Sequence, residues 1–171
     1  MNAEIKKRFS DLEQAKTDFM AILEAHTPEQ QLYKATPETW CMTEVGQHLV
    51  QVEHTILEAA KRKQPSSLGL LNQLIFWLVG QYLGSGIRIK TPSKAVIPQS
   101  TPSLEELKTN WAATREDLKT FLEPLPDTAL NSPAMRHPAS GAMTLEMSFV
   151  FFERHILHHT KQLERIKQTL I

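Results

Sequence analysis

Apolar side chains recur every third or fourth residue in five stretches of the chain, which is the spacing of an amphipathic helix. The pattern predicts helices over about 3–25, 42–62, 67–83, 103–121 and 144–168. No stretch shows the clear alternation of apolar and polar residues that is typical of a half-buried strand. The chain is therefore predicted to fold as an all-α bundle.

Polar and turn-forming residues mark the boundaries of these helices. Ser103 followed by Glu106 matches a capping box, and Thr144 is a candidate cap for the last helix. The stretch from Ile87 to Pro102 contains three prolines and no helical period, which predicts a long connection that crosses the molecule. At 171 residues, the chain suits a single domain over 1–171.

The most apolar run extends from Leu68 to Leu83. Asn72, Gln73 and Gln81 interrupt it, and it is shorter than the roughly 20 apolar residues that a membrane-spanning helix needs. We interpret it as a buried or dimer-forming helix in preference to a membrane-surface helix. A homodimer is therefore a candidate assembly, and no membrane partner is expected.

Charge and cysteine content narrow the classes of partner and location. Lysine plus arginine and aspartate plus glutamate balance at 19 each, whereas an excess of basic residues would be expected for binding to nucleic acid or anionic membrane. The single cysteine, Cys41, excludes an internal disulfide, and residues 1–8 lack the apolar region of a signal peptide. These features favour a cytoplasmic location and no nucleic-acid partner.

Three of the seven histidines form a candidate metal site. His155 and His159 are four residues apart on the last predicted helix, so their rings lie on one face about 6 Å apart and can bind one ion. His48 lies near Val45 and Leu49, on a buried or marginal face of the second helix. Taken separately, His48 would be a satisfied core histidine and the pair could be coincidental. Together they predict three ligands for a divalent metal, with a position open to water or substrate.

Other polar side chains near the pair have weaker expected roles. Gln162, two turns after His155, is expected either to order a bound water or ligand or to make a hydrogen bond at the edge of the core. His158, about 100° around the helix from the pair, is expected to contact the site or to face solvent. His137 could enter a pocket from its loop, although a surface role is the stronger expectation. No site role is expected for His26 or His54.

Three catalytic alternatives find little support in the residues. No Glu follows His155, so the His-Glu-x-x-His signature of zinc proteases is absent. Glu53 lies five residues after His48 and well around the helix, which makes it a weak candidate for a general base. Cys41 is better interpreted as a small buried residue at a helix start than as a nucleophile.

Several blocks of the chain resemble the DinB-like superfamily, which is described as metal-dependent enzymes of DNA-damage-inducible type. One block is Trp40, followed eight residues later by His48-Leu49 and then by Glu53. Another is His137-Pro-Ala-Ser-Gly-Ala-Met-Thr144, which leads to His155-x-x-x-His159-x-x-Gln162. The resemblance covers essentially the whole chain. It departs at Cys41 and Met42, where the family commonly has Ser or Thr, so that Thr43 becomes the candidate cap.

The resemblance implies a four-helix bundle with a long crossover connection and an additional short helix, often assembled as a dimer. It also implies that His48, His155 and His159 bind zinc, nickel or a similar divalent ion. Some relatives, the bacillithiol- and mycothiol-dependent transferases, transfer low-molecular-weight thiols to electrophiles. A more distant branch isomerises maleylpyruvate with a thiol cofactor.

We therefore predict a cytoplasmic, divalent-metal-dependent enzyme that acts on a small-molecule substrate. Its expected activity is that of a thiol S-transferase of detoxification type, with a low-molecular-weight thiol as cosubstrate, or that of a metal-dependent hydrolase that uses the same residues. The alternative is a non-catalytic metal-binding or stress-response bundle in which the ion or a histidine cluster fixes the fold. Three imidazoles accept several divalent ions, of which zinc and nickel are the ones we expect.

Overall fold

The computed structural model describes residues 1–62, 65, 67–85, 96–137 and 141–170. Its helices are α1 (Ala3–Glu24), α2 (Pro28–Leu32), α3 (Met42–Arg62), α4 (Leu70–Ser85), α5 (Leu104–Leu122) and α6 (Leu145–Lys167). A short 3-10 helix (Asp127–Asn131) and two strands, β1 (Pro133–His137) and β2 (Gly141–Thr144), lie between α5 and α6. The mostly helical architecture confirms the all-α prediction.

Four long helices, α1, α3, α5 and α6, pack around the core. Each contacts two of the others, since both α1 and α3 pack against α5 and α6. Phe19 of α1 meets Trp111 of α5 edge to face, with ring centroids 5.6 Å apart. The core also contains the fully buried side chains of Ile5, Leu12, Leu23, Leu49, Ile56, Phe149 and Phe152. This packing places α3 and α6 side by side, and the candidate ligands come from these two helices.

Side-chain caps explain where most of the long helices begin. Asn2 Oδ1 accepts a hydrogen bond from Ile5 N at 2.8 Å at the start of α1. Ser103 and Glu106 form the predicted capping box of α5, and Thr144 Oγ1 accepts from Met147 N at the start of α6. These bonds satisfy backbone N–H groups that a helix cannot satisfy itself.

The capping of α3 differs from the prediction, although the helix begins where it was expected to begin. The helix begins at Met42, so Thr43 already lies within its first turn and the cap expected from Thr43 is wrong. Instead, Glu44 Oε2 accepts a hydrogen bond from the Cys41 N–H at 3.0 Å. Cys41 is fully buried, as expected for a small residue at a helix start.

A small antiparallel hairpin replaces part of the loop that was expected before α6. Its register pairs Met135 with Met143, Arg136 with Ala142 and His137 with Gly141. On each strand two adjacent residues are buried, Ala134 and Met135 on β1 and Ala142 and Met143 on β2, instead of every second residue. The register is irregular between Pro133 and Met135. Since the strands are short and lack alternation, the periodicity gave no sign of them. The short helix α2 was likewise not placed by the sequence. Helix α1 ends at Glu24, and Thr27 caps α2 while Pro28 begins it.

Helix α4 lies outside the four-helix core and packs against α6 and β2. It matches the most apolar run of the sequence, yet Leu70, Leu71, Leu74 and Leu78 are exposed, so the helix is not buried as a whole. Within the described residues, no helix is both long and apolar enough to cross a membrane. Most of the predicted crossover, residues 87–95, lies outside the described residues, and its last part, residues 96–102, leads into α5.

Candidate metal centre

The structure brings His48 of α3 together with His155 and His159 of α6. One ring nitrogen of each histidine lies within 4.8 Å of the corresponding nitrogens of the other two. Nε2 of His155 and Nε2 of His159 are 3.1 Å apart, and the ring centroid of His48 is 5.2 and 4.9 Å from those of His155 and His159. All three residues are buried. We call this group the three-histidine cluster.

Hydrogen bonds on the Nδ1 side orient two of these rings. His48 Nδ1 is 2.7 Å from the carbonyl oxygen of Val96, and His159 Nδ1 is 2.8 Å from Gln162 Oε1. Since both partners are acceptors, the proton of each imidazole is held on Nδ1 and the lone pair is left on Nε2. Metal-binding histidines commonly have this arrangement, which fixes both tautomer and ring direction.

The third ring, that of His155, is held by packing. Phe151, one helical turn earlier, stacks on it with an interplanar angle of 22° and a centroid distance of 5.2 Å. The ring of His137, at the end of β1, meets Phe151 edge to face at 4.7 Å. On the other side of the cluster, Trp40 packs against His48 with centroids 5.0 Å apart. The aromatic rings of Trp40 and Phe151 therefore pack directly against rings of the cluster.

Burial keeps the imidazoles of the cluster neutral. It is the largest cause that lowers the pKa of His48, and it lowers the pKa of His155 well below the ordinary value for histidine. The pKa of His159 falls to about 3, mainly through burial and secondly through repulsion from His48, while the bond to Gln162 opposes the shift. Only a neutral imidazole can donate its lone pair to a metal, so the rings are in the required protonation state at neutral pH.

Neighbouring residues take definite places around the cluster. Gln162 contacts His159 directly, as described above. His158 is buried rather than solvent-facing: its Nδ1 is 3.1 Å from the Leu83 carbonyl oxygen, and its ring meets His159 edge to face at 5.2 Å. It therefore connects the end of α4 to a ring of the cluster. His137 is half-buried, and burial lowers its pKa to about 4, so its ring is partly withdrawn from solvent.

The weaker candidates lie elsewhere. Both carboxylate oxygens of Glu53 are engaged by α5, one by Trp111 Nε1 at 3.0 Å and the other by Arg115 Nη2 at 2.8 Å, which contradicts the general-base role considered for it. His26 Nδ1 bonds the Ile22 carbonyl at the end of α1. His54 is exposed beside Glu58 and Asp117, whose carboxylates are both bonded by Lys61.

The donor set fits a divalent transition metal. Three neutral imidazoles, two of them oriented through Nδ1, present ring nitrogens to a common point, and the facing Nε2 atoms of His155 and His159 are close enough to share one ion. Nitrogen ligands of this kind suit zinc, nickel, copper, cobalt and iron better than magnesium or calcium, which prefer oxygen.

The residues that support the cluster were harder to find in the sequence than its members. Phe151 carries a usable signal, because a position four residues before His155 lies on the same helical face. Val96 contributes a backbone carbonyl from 48 residues away in the chain, and no side-chain pattern could indicate it.

A comparison with family models finds a match over most of the chain. The family model described as the DinB superfamily matches residues 11–163, which include the whole three-histidine cluster. No curated protein and no solved structure matches the chain.

Proposed function

The chain belongs to the DinB superfamily, and from this premise we propose that it is a divalent-metal-dependent enzyme whose protein ligands are His48, His155 and His159. The observation that carries the proposal is the convergence of these three buried, neutral imidazoles from α3 and α6. Zinc and nickel are the ions that we favour. The whole chain would act as the single domain predicted over 1–171.

We further propose that the reaction is the transfer of a low-molecular-weight thiol to an electrophile. A divalent ion held by neutral ligands keeps its full charge and lowers the pKa of a thiol that binds beside it. A thiol, with an ordinary pKa of about 8.5, needs a much smaller shift to ionise at neutral pH than water, whose pKa is about 15.7. In the described part of the chain, the cluster holds no carboxylate that could accept a proton from water. This difference favours the thiol over hydrolysis.

In this reaction the protein residues bind, orient and exclude water. Val96 and Gln162 hold the rings of His48 and His159 in the binding tautomer. Trp40 and Phe151 cover the cluster with apolar surface, which strengthens electrostatic interactions at the site. The thiolate sulfur forms a bond to the electrophilic carbon, the leaving group departs with the bonding electron pair, and the thiol proton passes to solvent.

The proposal includes a cytoplasmic location, a small-molecule substrate and assembly as a homodimer. Hydrolysis by the same residues and a non-catalytic role for the ion are the competing functions. The hydrolase differs from the thiol transferase in the substrate that the metal-loaded protein converts. The non-catalytic role differs from both because the protein converts no substrate and its fold needs the ion.

Metal analysis of untagged protein tests the ligand set. We expect about one equivalent of metal in the wild type and in His54→Ala, which removes an exposed histidine from the same helix as His48. His48→Ala and His155→Ala should lose most of it. A wild-type protein that contains no stoichiometric metal and binds none when zinc or nickel is supplied would overturn the assignment.

Turnover of the metal-loaded protein tests the reaction. Consumption of a low-molecular-weight thiol in the presence of an alkylating electrophile should exceed that of His48→Ala by at least about 100-fold, since loss of the site removes the proposed activation. Hydrolysis of an activated ester without thiol consumption would favour the hydrolase. No turnover of either kind, together with loss of the fold on chelation, would favour the structural role.

A further inference from the structure

Residues 96–102 run from the three-histidine cluster to the start of α5. At one end of this segment, the carbonyl oxygen of Val96 lies 2.7 Å from His48 Nδ1. No hydrogen bond joins the backbone of the segment to the backbone of another described residue. At residues 100–102 the segment borders a surface cleft of about 440 Å³, so it lacks close packing on that side. Side-chain contacts with α3 are therefore important for holding the Val96 carbonyl in place.

Glu44 of α3 holds the other end of this segment. Its side chain is buried, and Oε1 accepts hydrogen bonds from Thr101 Oγ1 at 2.6 Å and from Lys34 Nζ at 2.7 Å. Oε2 accepts a hydrogen bond from the Cys41 N–H at the start of α3, so capping of the helix occupies only one carboxylate oxygen. The other oxygen ties the 96–102 segment to α3.

The carboxylate of Glu44 is charged at neutral pH, which strengthens its bond to Thr101. Burial favours the neutral form, but the hydrogen bonds from Lys34, Thr101 and Cys41 outweigh burial and lower the pKa of Glu44. A hydroxyl that donates to a carboxylate forms a shorter and stronger bond than one that donates to a neutral acceptor. The low dielectric of a buried position strengthens such a bond further. Thr101 therefore has a firm anchor on α3.

Glu44 and His48 are neighbours on one face of α3, because they lie four residues apart. The 96–102 segment thus bonds to this face at two points, through Thr101 to Glu44 and through Val96 to His48. Only four residues separate these two points along the segment. Release of the segment at Thr101 would therefore give the Val96 carbonyl more conformations, and fewer of them would place it against His48 Nδ1.

We propose that Glu44 and Thr101 position the Val96 carbonyl and, through it, the ring of His48 for metal binding. This role rests on the proposed function, in which His48 binds the ion. Neither Glu44 nor Thr101 binds the ion itself, and both are positioning residues. Their bond keeps an acceptor against His48 Nδ1, which holds the proton there and leaves the lone pair of Nε2 for the metal.

Zinc affinity, measured on the full chain by competition with a chelator, tests this role. Thr101→Val keeps the shape of the side chain but removes the hydroxyl. We expect it to raise the zinc dissociation constant at least about 5-fold, toward the roughly 10–100-fold that complete loss of a supporting hydrogen bond costs. Thr101→Ser keeps the hydroxyl and should bind zinc as the wild type does. The matched control is Thr109→Val, which should also bind as the wild type does, because Thr109 is exposed, lines the same cleft and donates to Glu105 O within α5.

The tautomer of His48 tests the same role without metal. In the metal-free protein, nitrogen-15 NMR of the histidine rings reports which ring nitrogen carries the proton. We expect the proton of His48 on Nδ1 in the wild type and in Thr101→Ser, and a larger share of the Nε2–H tautomer in Thr101→Val. A merely structural contribution of Thr101 would lower the free energy of unfolding without changing this signal.

Several results would overturn the assignment. A Thr101→Val protein that keeps either the wild-type tautomer of His48 or the wild-type zinc affinity contradicts it. Equal weakening by Thr101→Ser would make the hydroxyl irrelevant, and equal weakening by Thr109→Val would make the effect general to the cleft. If the wild type binds no zinc, the proposed function fails, and the NMR comparison alone decides whether Glu44 and Thr101 position His48. Should Thr101→Val lose its helical spectrum, Thr101→Ala takes its place with the same expected changes.

Discussion

Replacement of Gln162 gives the sharpest test of how the cluster is organised. Gln162 Oε1 is 2.8 Å from His159 Nδ1, and the His159 ring is buried. The bond holds the proton of His159 on Nδ1 and leaves Nε2 unprotonated. Gln162→Leu keeps a side chain of similar size but removes the acceptor. Gln162→Glu keeps an acceptor and strengthens it with charge.

The expected loss of metal affinity in Gln162→Leu follows from the tautomer of His159. Without an acceptor at Nδ1, the proton moves to Nε2, where Nε2 of His155 lies 3.1 Å away and can accept it. A metal must then displace this proton before it binds. Removal of such supporting hydrogen bonds lowers metal affinity by about 10–100-fold, equal to about 1.4–2.8 kcal/mol. We expect Gln162→Leu to fall in this range and Gln162→Glu to bind at least as tightly as the wild type.

Competition with a chromophoric zinc chelator at pH 7.5 measures these affinities. Glu164→Ala serves as a control, because Glu164 is exposed on the same helix. If Gln162→Leu binds zinc as tightly as the wild type, the hydrogen bond does not set the tautomer and our reasoning is refuted. A loss of affinity in Gln162→Glu equal to that in Gln162→Leu would also refute it, since the acceptor would then be irrelevant.

Three further predictions concern stability and packing. The metal-free protein should lose stability as the pH falls below about 6.5, because the histidines of the unfolded chain bind protons there while those of the cluster, including His159 with its pKa of about 3, stay neutral. Urea unfolding between pH 7.5 and 5.5 should show the free energy of unfolding falling by up to about 1.4 kcal/mol per pH unit for each such histidine. A free energy of unfolding that does not change with pH would contradict this prediction. Glu53→Gln should lower the free energy of unfolding by about 1.5–3 kcal/mol, because it removes the buried charged partner of Arg115 and leaves only Glu13, 3.5 Å from Arg115 Nε, to compensate that charge. Glu58→Gln at an exposed pair should change it by less than about 1 kcal/mol. Gly141→Ala should lower the melting temperature by several degrees, because Gly141 has a φ of 75° and an added Cβ would lie 2.3 Å from Asn72 Nδ2. An unchanged melting curve would show that the hairpin turn adjusts to the added methyl group.

The long helices could be predicted from the sequence because their stabilising contacts repeat along the chain. The apolar period sets the ends of α3 and α6 to within a residue or two, and local caps fix the start of α5. The hairpin before α6 could not be predicted, since its strands are short and depend on pairing and on burial against α3 and α6. The sequence left open whether α4 is buried or forms a dimer contact, because an apolar pattern does not distinguish a helix in the core from one with an exposed apolar face.

The candidate site likewise combines features that a local sequence pattern indicates with features that depend on tertiary packing. The four-residue spacing of His155 and His159 is local, so the sequence indicates that their rings face one point. That His48 joins them depends on the packing of α3 against α6, which the sequence could suggest only through the buried character of its helix. The hydrogen bond from His48 to Val96 joins α3 to the segment that leads into α5, 48 residues later in the chain, and follows from tertiary structure alone.

The core of the bundle bears on whether the ion serves catalysis or the fold. Phe19 and Trp111 join α1 to α5, and Glu53 with Arg115 joins α3 to α5, without any contribution from the three-histidine cluster. We do not expect a chain of this length with such a core to need a metal to fold, in contrast to small zinc domains that are unfolded without it. Chelation should therefore leave the helical spectrum intact and lower stability only by the binding free energy that is lost, about 4 kcal/mol for an ion at 1,000 times its Kd. If the fold does not require the ion, the presence of the ion is better explained by a molecule that binds beside it, which favours a catalytic role. Cooperative unfolding on chelation at neutral pH would instead favour a structural role for the ion.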